Sequence, residues 1–150
     1  MPKIDRKLLS IKAEVIENLK KIIKSENILD HEDETRPFET DALSAYKQKP
    51  LAVVFPENTQ EVSKILAYCN QERIKVVPRG AGTGLSGGAL PLIDSILLCL
   101  SKFNKIIEID YKNRCVVVQP GVTNLSITQA VEEKGFYYAP DPSSQIACSI

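Results

Sequence analysis

Side chains and backbone able to do chemistry gather in one stretch, Pro78-Arg79-Gly80-Ala81-Gly82-Thr83-Gly84-Leu85-Ser86-Gly87-Gly88. No glycine precedes Gly80, and five of the chain's seven glycines lie between Gly80 and Gly88. The stretch follows an apolar run, Ile74-Lys75-Val76-Val77. Glycines at the end of a strand bring bare backbone close to a ligand and aim a row of N–H groups at an anion. Thr83 and Ser86 add two hydroxyl donors. The chemistry this pattern serves is phosphate or pyrophosphate binding; the competing reading is a glycine-rich loop with no ligand.

Three phosphate loops must be distinguished. A Walker loop needs a lysine directly after its last glycine, and no lysine occurs between Lys75 and Lys102. A dinucleotide fingerprint, G-x-G-x-x-G, is matched by Gly82-Thr83-Gly84-Leu85-Ser86-Gly87, and Glu108 stands about 20 residues on, where a ribose-binding acid would be. The context defeats it. Only a short segment containing Pro91 separates Gly88 from the next apolar run at Ser95, too little for a crossover helix. What is left is a loop that grips a pyrophosphate with no helix behind it.

Other chemistries find little support. Cys69, Cys99, Cys115 and Cys148 are too scattered for a C-x-x-C pair and read as structural thiols. His31 is the single histidine, in an acidic stretch, and builds no metal site by itself. Lys plus Arg and Asp plus Glu both number 19, which argues against a nucleic-acid surface. The longest apolar runs fall far short of a membrane span. No apolar leader follows Met1, so a cytoplasmic protein is expected.

Several elements must position the loop. Residues 8–26 carry Val15, Ile16, Leu19, Ile22 and Ile23 at helical spacing and predict one amphipathic helix. Residues 30–37 read as a solvated charged connector, and 38–48 as an irregular lead-in. Leu51-Ala52-Val53-Val54-Phe55 predicts a buried strand. Asn58 and Glu61 predict a capped helix whose buried face is Val62, Ile65, Leu66 and Cys69. Residues 74–77 close a β-α-β unit, so the glycine loop leaves the carboxyl end of a strand. Strands follow at 95–100, 105–110 and 115–119, the last two as a hairpin with Ile107 and Ile109 on one face. Thr123 or Asn124 caps a further helix, which Gly135 ends. Pro140-Asp141-Pro142-Ser143-Ser144 then forms an extended loop.

Taken together, strand, N-T-x-E-V helix, strand, P-R-G-A-G-T-G-L-S-G-G, strand pair, Q-P-G-V, helix and P-D-P-S-S resemble the flavin domain of the vanillyl-alcohol oxidase / p-cresol methylhydroxylase superfamily. Within it, the pattern is similar to the FAD subunits of glycolate oxidases and D-lactate dehydrogenases. The resemblance covers residues 46–150 and implies an α+β fold of two subdomains, the PCMH-type FAD-binding domain. Residues 1–45 would be a helical N-terminal extension. It further implies that residues Gly80, Ala81, Gly82, Thr83, Gly84, Leu85, Ser86 and Gly87 wrap the FAD pyrophosphate, with Pro78 and Arg79 shaping the entry. Gly121 would let the backbone pass close to the cofactor. Pro140, Asp141, Ser143 and Ser144 would approach the flavin and its ribityl chain, with Ala147, Cys148 and Ser149 alongside.

The same resemblance implies non-covalent FAD, because residues 79–88 hold no histidine. The implied reaction oxidises a small 2-hydroxy acid to the 2-oxo acid. Electrons would pass to a partner, in an assembly with a second FAD-domain subunit and an iron–sulfur subunit, peripheral to a membrane. The family's catalytic residues fall beyond Ile150, so the chain reads as the N-terminal part of a longer dehydrogenase, inactive alone. Strands at 95 and 115 would then lack partners and leave open edges. The alternative is a nucleotide- or phosphate-binding module without redox activity.

Overall fold

The computed structural model describes residues 4–150. Its centre is a four-stranded sheet in the order β1-β2-β4-β3, where β1 is Ile28–Leu29, β2 Ala52–Val54, β3 Lys75–Arg79 and β4 Ser95–Cys99. β2, β4 and β3 run parallel, and β1 is antiparallel to β2. Both neighbours of β4 align on one residue, with Val53 and Val77 each opposite Leu97. All five β4 residues are buried, which is why its sequence is apolar on both faces. Pro78, which cannot donate to a ladder, lies in the edge strand β3.

The pleat sorts the core into two. Ala52, Val54, Ile96 and Leu98 point toward Val15, Ile16 and Leu19 of α2 (Lys12–Lys20) and Ile65 and Cys69 of α4 (Thr59–Gln71). Val53, Leu97 and Cys99 point the other way, toward Leu29, Phe38 and Phe55. Fully burying an aliphatic side chain such as Leu19 or Ile65 stabilises the fold by roughly 1.5–3 kcal/mol. Both clusters thus bind residues of the first 45 to the sheet that carries the glycine loop. Burial also pushes the Cys69 thiol up to about 11.

Asn58 caps α4 by accepting the Glu61 N–H at 2.9 Å. Glu61 reaches back one residue further than a capping box does, to the N–H of Glu57 at 2.7 Å. Beyond the glycine loop, β5 (Ile106–Asp110) and β6 (Cys115–Val118) pair antiparallel as a separate two-stranded sheet, and α5 (Asn124–Val131) follows. Gly135 ends the last turn at φ +75°.

Several expectations need correcting. The helix expected over 8–26 is two: α1 (Arg6–Ser10) and α2, separated at Ile11, whose N–H turns to Leu8 O at 3.2 Å. It stops by Lys21 because the N–H groups of Ile22 and Ile23 both converge on Leu19 O. Residues 30–37 are not a plain connector but contain α3 (Glu32–Thr35) and a 3-10 turn, Arg36–Phe38. Leu66 faces solvent, leaving Ile65 and Cys69 as the buried side of α4. A bulge between Ile106 and Glu108 turns Ile107 outward. β4 is no open edge, since β2 and β3 flank it; β6 has a partner on one side alone among the described residues.

Polar ties hold the sheet's ends. At one end, Lys24, Asn27 and Lys102 converge on Glu57 at 3.0, 3.1 and 3.2 Å and draw its carboxyl down to about 2. At the other, Asp94 is nearly fully buried. Desolvation opposes its charge, yet the Lys75 ammonium at 2.6 Å and the Asp5 N–H keep its pKa below the ordinary value.

Candidate functional site

The glycine loop begins where β3 ends, at the carboxyl edge of the parallel strands. Gly82 and Gly87 take φ of +73° and +74°, a left-handed backbone that residues with a Cβ rarely adopt. A side chain at Gly80 would run into Ser149 Oγ, and one at Gly82 into the Arg79 guanidinium. Gly84 has an ordinary φ and open space where a Cβ would be, so nothing in the protein requires glycine there.

Among the described residues, the N–H groups of Gly82, Thr83, Gly84, Leu85, Ser86 and Gly87 donate to no protein acceptor. Ala81 N–H alone in this loop is used, by Ser149 Oγ at 3.3 Å. Leu85 is exposed and anchors nothing. A run of unpaired backbone donors held in a fixed shape suits a polyanion.

Beneath the loop lies a cavity of about 390 Å³ walled by Gly80, Ala81, Ser101, Asn104, Gly121, Val122, Thr123, Ser126, Ala147 and Ser149. The structure therefore brings together Gly80, Ala81, Gly121, Ala147 and Ser149 from three sequence segments. Ser149 bridges to Thr123, and Ile150 N–H donates to Val122 O at 3.1 Å, which fixes the last segment against the start of α5. Gly121 sits where a Cβ would be driven into the carbonyl oxygens of Leu100 and Phe103, so its bareness serves packing as well as access.

Pro78, Arg79 and residues 82–87 are not among the residues that wall this cavity; Gly82 O accepts from Ala42 N–H instead. Pro140, Asp141, Ser143 and Ser144 do not line the cavity; Pro140 O accepts from Asn124 Nδ2 at 2.9 Å, and Ser144 O accepts the N–H groups of Ala147 and Cys148, each at 2.8 Å. Cys148 contributes its carbonyl, which accepts Asn124 N–H at 3.0 Å. Ser101, Asn104, Val122, Thr123 and Ser126 were missed as site residues. The first two follow β4 at the same carboxyl edge as the loop, and that position was the signal available for them.

Electrostatics narrow what the site can hold. No wall residue is charged. The nearby Lys102 ammonium turns away to Asn27 Oδ1 at 2.6 Å. The first turn of α5 offers no anion site either: Asn124 N–H goes to Cys148 O, Leu125 N–H to Gln145 O and Ser126 N–H to Thr123 Oγ1. An anion here would be held by the loop's backbone donors and the hydroxyls of Thr83 and Ser86, and the arrangement fits the pyrophosphate of a dinucleotide cofactor. Among the described residues no group of His, Cys, Asp and Glu is placed to hold a metal, and no helix is long and apolar enough to cross a membrane.

Comparison with known proteins bears on the same residues. A family model described as an FAD binding domain matches residues 50–150. The glycolate oxidase subunit GlcD of Escherichia coli (strain K12) is 49% identical over 150 residues, all of this chain and 29% of that protein. The Bacillus subtilis (strain 168) subunit of the same name is 42% identical over 134 residues, 89% of this chain and 28% of that one. A solved structure of p-cresol methylhydroxylase superposes with a TM-score of 0.73 at 23% identity, covering 88% of this chain and 26% of that chain. The chain thus spans less than a third of the length of the relatives it matches.

Proposed function

The chain belongs to the FAD binding domain family, with FAD as its cofactor, and from that premise we propose that it is the cofactor-holding part of a 2-hydroxy-acid oxidoreductase. The substrate is of the glycolate or D-lactate type and leaves as the 2-oxo acid. The observation that carries the reading is the run of unpartnered N–H groups from Gly82 to Gly87, directly after Gly80 and Ala81, which wall a neutral cavity. The similarity to glycolate oxidase subunits supports the substrate class.

Bound FAD supplies the redox chemistry, accepting the electrons of the alcohol carbon. This chain's residues do the holding. Backbone donors of residues 82–87, with the hydroxyls of Thr83 and Ser86, would bind the pyrophosphate. Hydrogen bonds to a charged acceptor are each worth roughly 1.5–3 kcal/mol. Gly80, Gly121 and Ser149 would shape the wall beside it, and Pro140, Asp141, Ser143 and Ser144 would approach the flavin and ribityl end. The wall contains no carboxylate, imidazole or ammonium. We therefore place the acid–base groups that act on the substrate outside these residues. Attachment is non-covalent, with no histidine in the loop. A partner subunit takes the electrons onward, and the protein works on the cytoplasmic side of a membrane.

The test uses the full-length gene product. Its flavin absorbance should bleach anaerobically with glycolate or D-lactate, and acid precipitation should release FAD into the supernatant. Flavin that stays with the precipitate would refute non-covalent attachment. Colourless protein that binds ADP would favour the non-redox module.

A further inference from the structure

We propose that Asp41 and Arg79 form a charge couple that positions the Gly82 corner of the glycine loop, making Asp41 a positioning residue for FAD. The proposal rests on the FAD reading of the loop and names the device that keeps the loop in shape.

Asp41 belongs to the irregular lead-in, where the sequence offers no chemistry, yet it is only 5% exposed. One carboxylate oxygen, Oδ1, accepts the Leu43 N–H at 2.9 Å. The other, Oδ2, is fully buried with no donor. Burying a carboxylate oxygen without a partner is costly. An asparagine would keep the Leu43 bond and bury a neutral amide in place of the charge, at a smaller cost. The turn alone therefore does not explain an aspartate.

Residues 40–43 are a strap across the glycine loop. Ala42 N–H donates to Gly82 O at 2.9 Å. Thr40 O accepts from Arg79 Nη1 at 2.7 Å. Leu43 Cδ2 lies 3.7 Å from where a Cβ on Gly87 would be. Arg79 lies over the Phe38 ring, 5.7 Å from guanidinium carbon to ring centroid. Its Nη2 and Nε stand where a Cβ on Gly82 would be and have no acceptor among the described residues.

The buried carboxylate thus lacks a donor, and the guanidinium has donors to spare. Both are fixed by backbone that grips one residue, Gly82. No ion pair or hydrogen bond joins them among the described residues, so the proposed attraction is longer-ranged than a salt bridge and acts across the strap. It pulls the guanidinium onto Gly82 and the strap onto the loop. The donors downstream of Gly82 keep their aim only while that corner stays at φ +73°.

The experiment is a double-mutant cycle on FAD affinity in the deflavinated full-length protein, read by quenching of flavin fluorescence. Asp41→Asn and Arg79→Gln should each weaken FAD about tenfold or more, and the double variant no more than the worse single one. Arg79→Lys, which keeps the charge, should lose less than Arg79→Gln. The apo-protein carrying Asp41→Asn should melt no lower than wild type, because the substitution removes a buried unpaired charge. Asp41→Asn that retains wild-type affinity within twofold would overturn the couple. So would a double variant whose loss equals the product of the two single losses. A lowered apo melting temperature with unchanged FAD affinity would mark Asp41 as structural and overturn it as well. Wild-type protein that takes up no FAD would instead overturn the cofactor reading, a distinct result.

Discussion

Replacing Gly82 by alanine tests the loop where its backbone and its packing are both demanding. At φ +73° a residue with a Cβ pays a steric penalty of roughly 1–2 kcal/mol. The new methyl group would also occupy the place of the Arg79 guanidinium. To make room, Arg79 must give up its bond to Thr40 O, and a hydrogen bond from a charged donor is worth roughly 1.5–3 kcal/mol. Arg79 is half-buried, so the lower end applies to that part, and the sum starts at about 2.5 kcal/mol. The loss falls on the loop conformation that presents the donors. At about 1.4 kcal/mol per tenfold, FAD affinity should drop by about 60-fold or more. The assay is titration of deflavinated full-length protein with FAD, with the apo melting temperature measured beside it. Affinity within threefold of wild type would refute the claim that the Gly82 corner aims the pyrophosphate donors.

Gly84→Asp meets no protein atom and no unusual φ, so apo stability should hold while the added carboxylate repels the pyrophosphate; unchanged flavin content on purification would contradict this. Gly121→Ala forces a methyl against the carbonyls of Leu100 and Phe103, the latter bonded to Gly121 N–H at 2.7 Å. Overpacking against rigid backbone should cost about 1–3 kcal/mol, visible as a lowered denaturation midpoint. Glu57 is held at about 2 in the fold against an ordinary 4.5. Its contribution is therefore complete above 4.5 and lost as pH falls through about 2. Glu57→Gln should flatten the melting-temperature profile over that window, and an unchanged profile would show that the network does not stabilise the fold.

Much of this was readable in the chain because the responsible forces are local. The apolar run Ile96–Cys99 of β4, too short for a helix, reads as a strand buried on both faces. Asn58 with Glu61 announced α4, and the β5–β6 hairpin followed from its turn. The glycine loop stood out through composition, with phosphate binding and a ligand-free loop as the two readings. What escaped the reading depends on contacts distant in sequence. β1 is two residues long and shows no pattern; it exists because Phe55 N–H bonds Asn27 O while Lys102 and Glu57 hold the Asn27 side chain. The break between α1 and α2 interrupts a continuous helical stripe, so periodicity could not find it. Ser101 and Asn104 are single polar residues whose one signal is their place after β4, and their residue types alone do not separate them from solvated turn residues. Asp41 looks like any loop acid until residues 40–43 fold over Gly82.

The central claim is that backbone donors of residues 82–87 hold the FAD pyrophosphate. A crystal structure of the full-length protein with FAD measures this directly. The pyrophosphate oxygens should lie about 2.7–3.2 Å from several of the N–H nitrogens between Gly82 and Gly87, with the α5 N-terminus still bonded to Cys148 and Gln145. A pyrophosphate seated on the first turn of α5, or anywhere that leaves those six N–H groups facing solvent, would contradict the account.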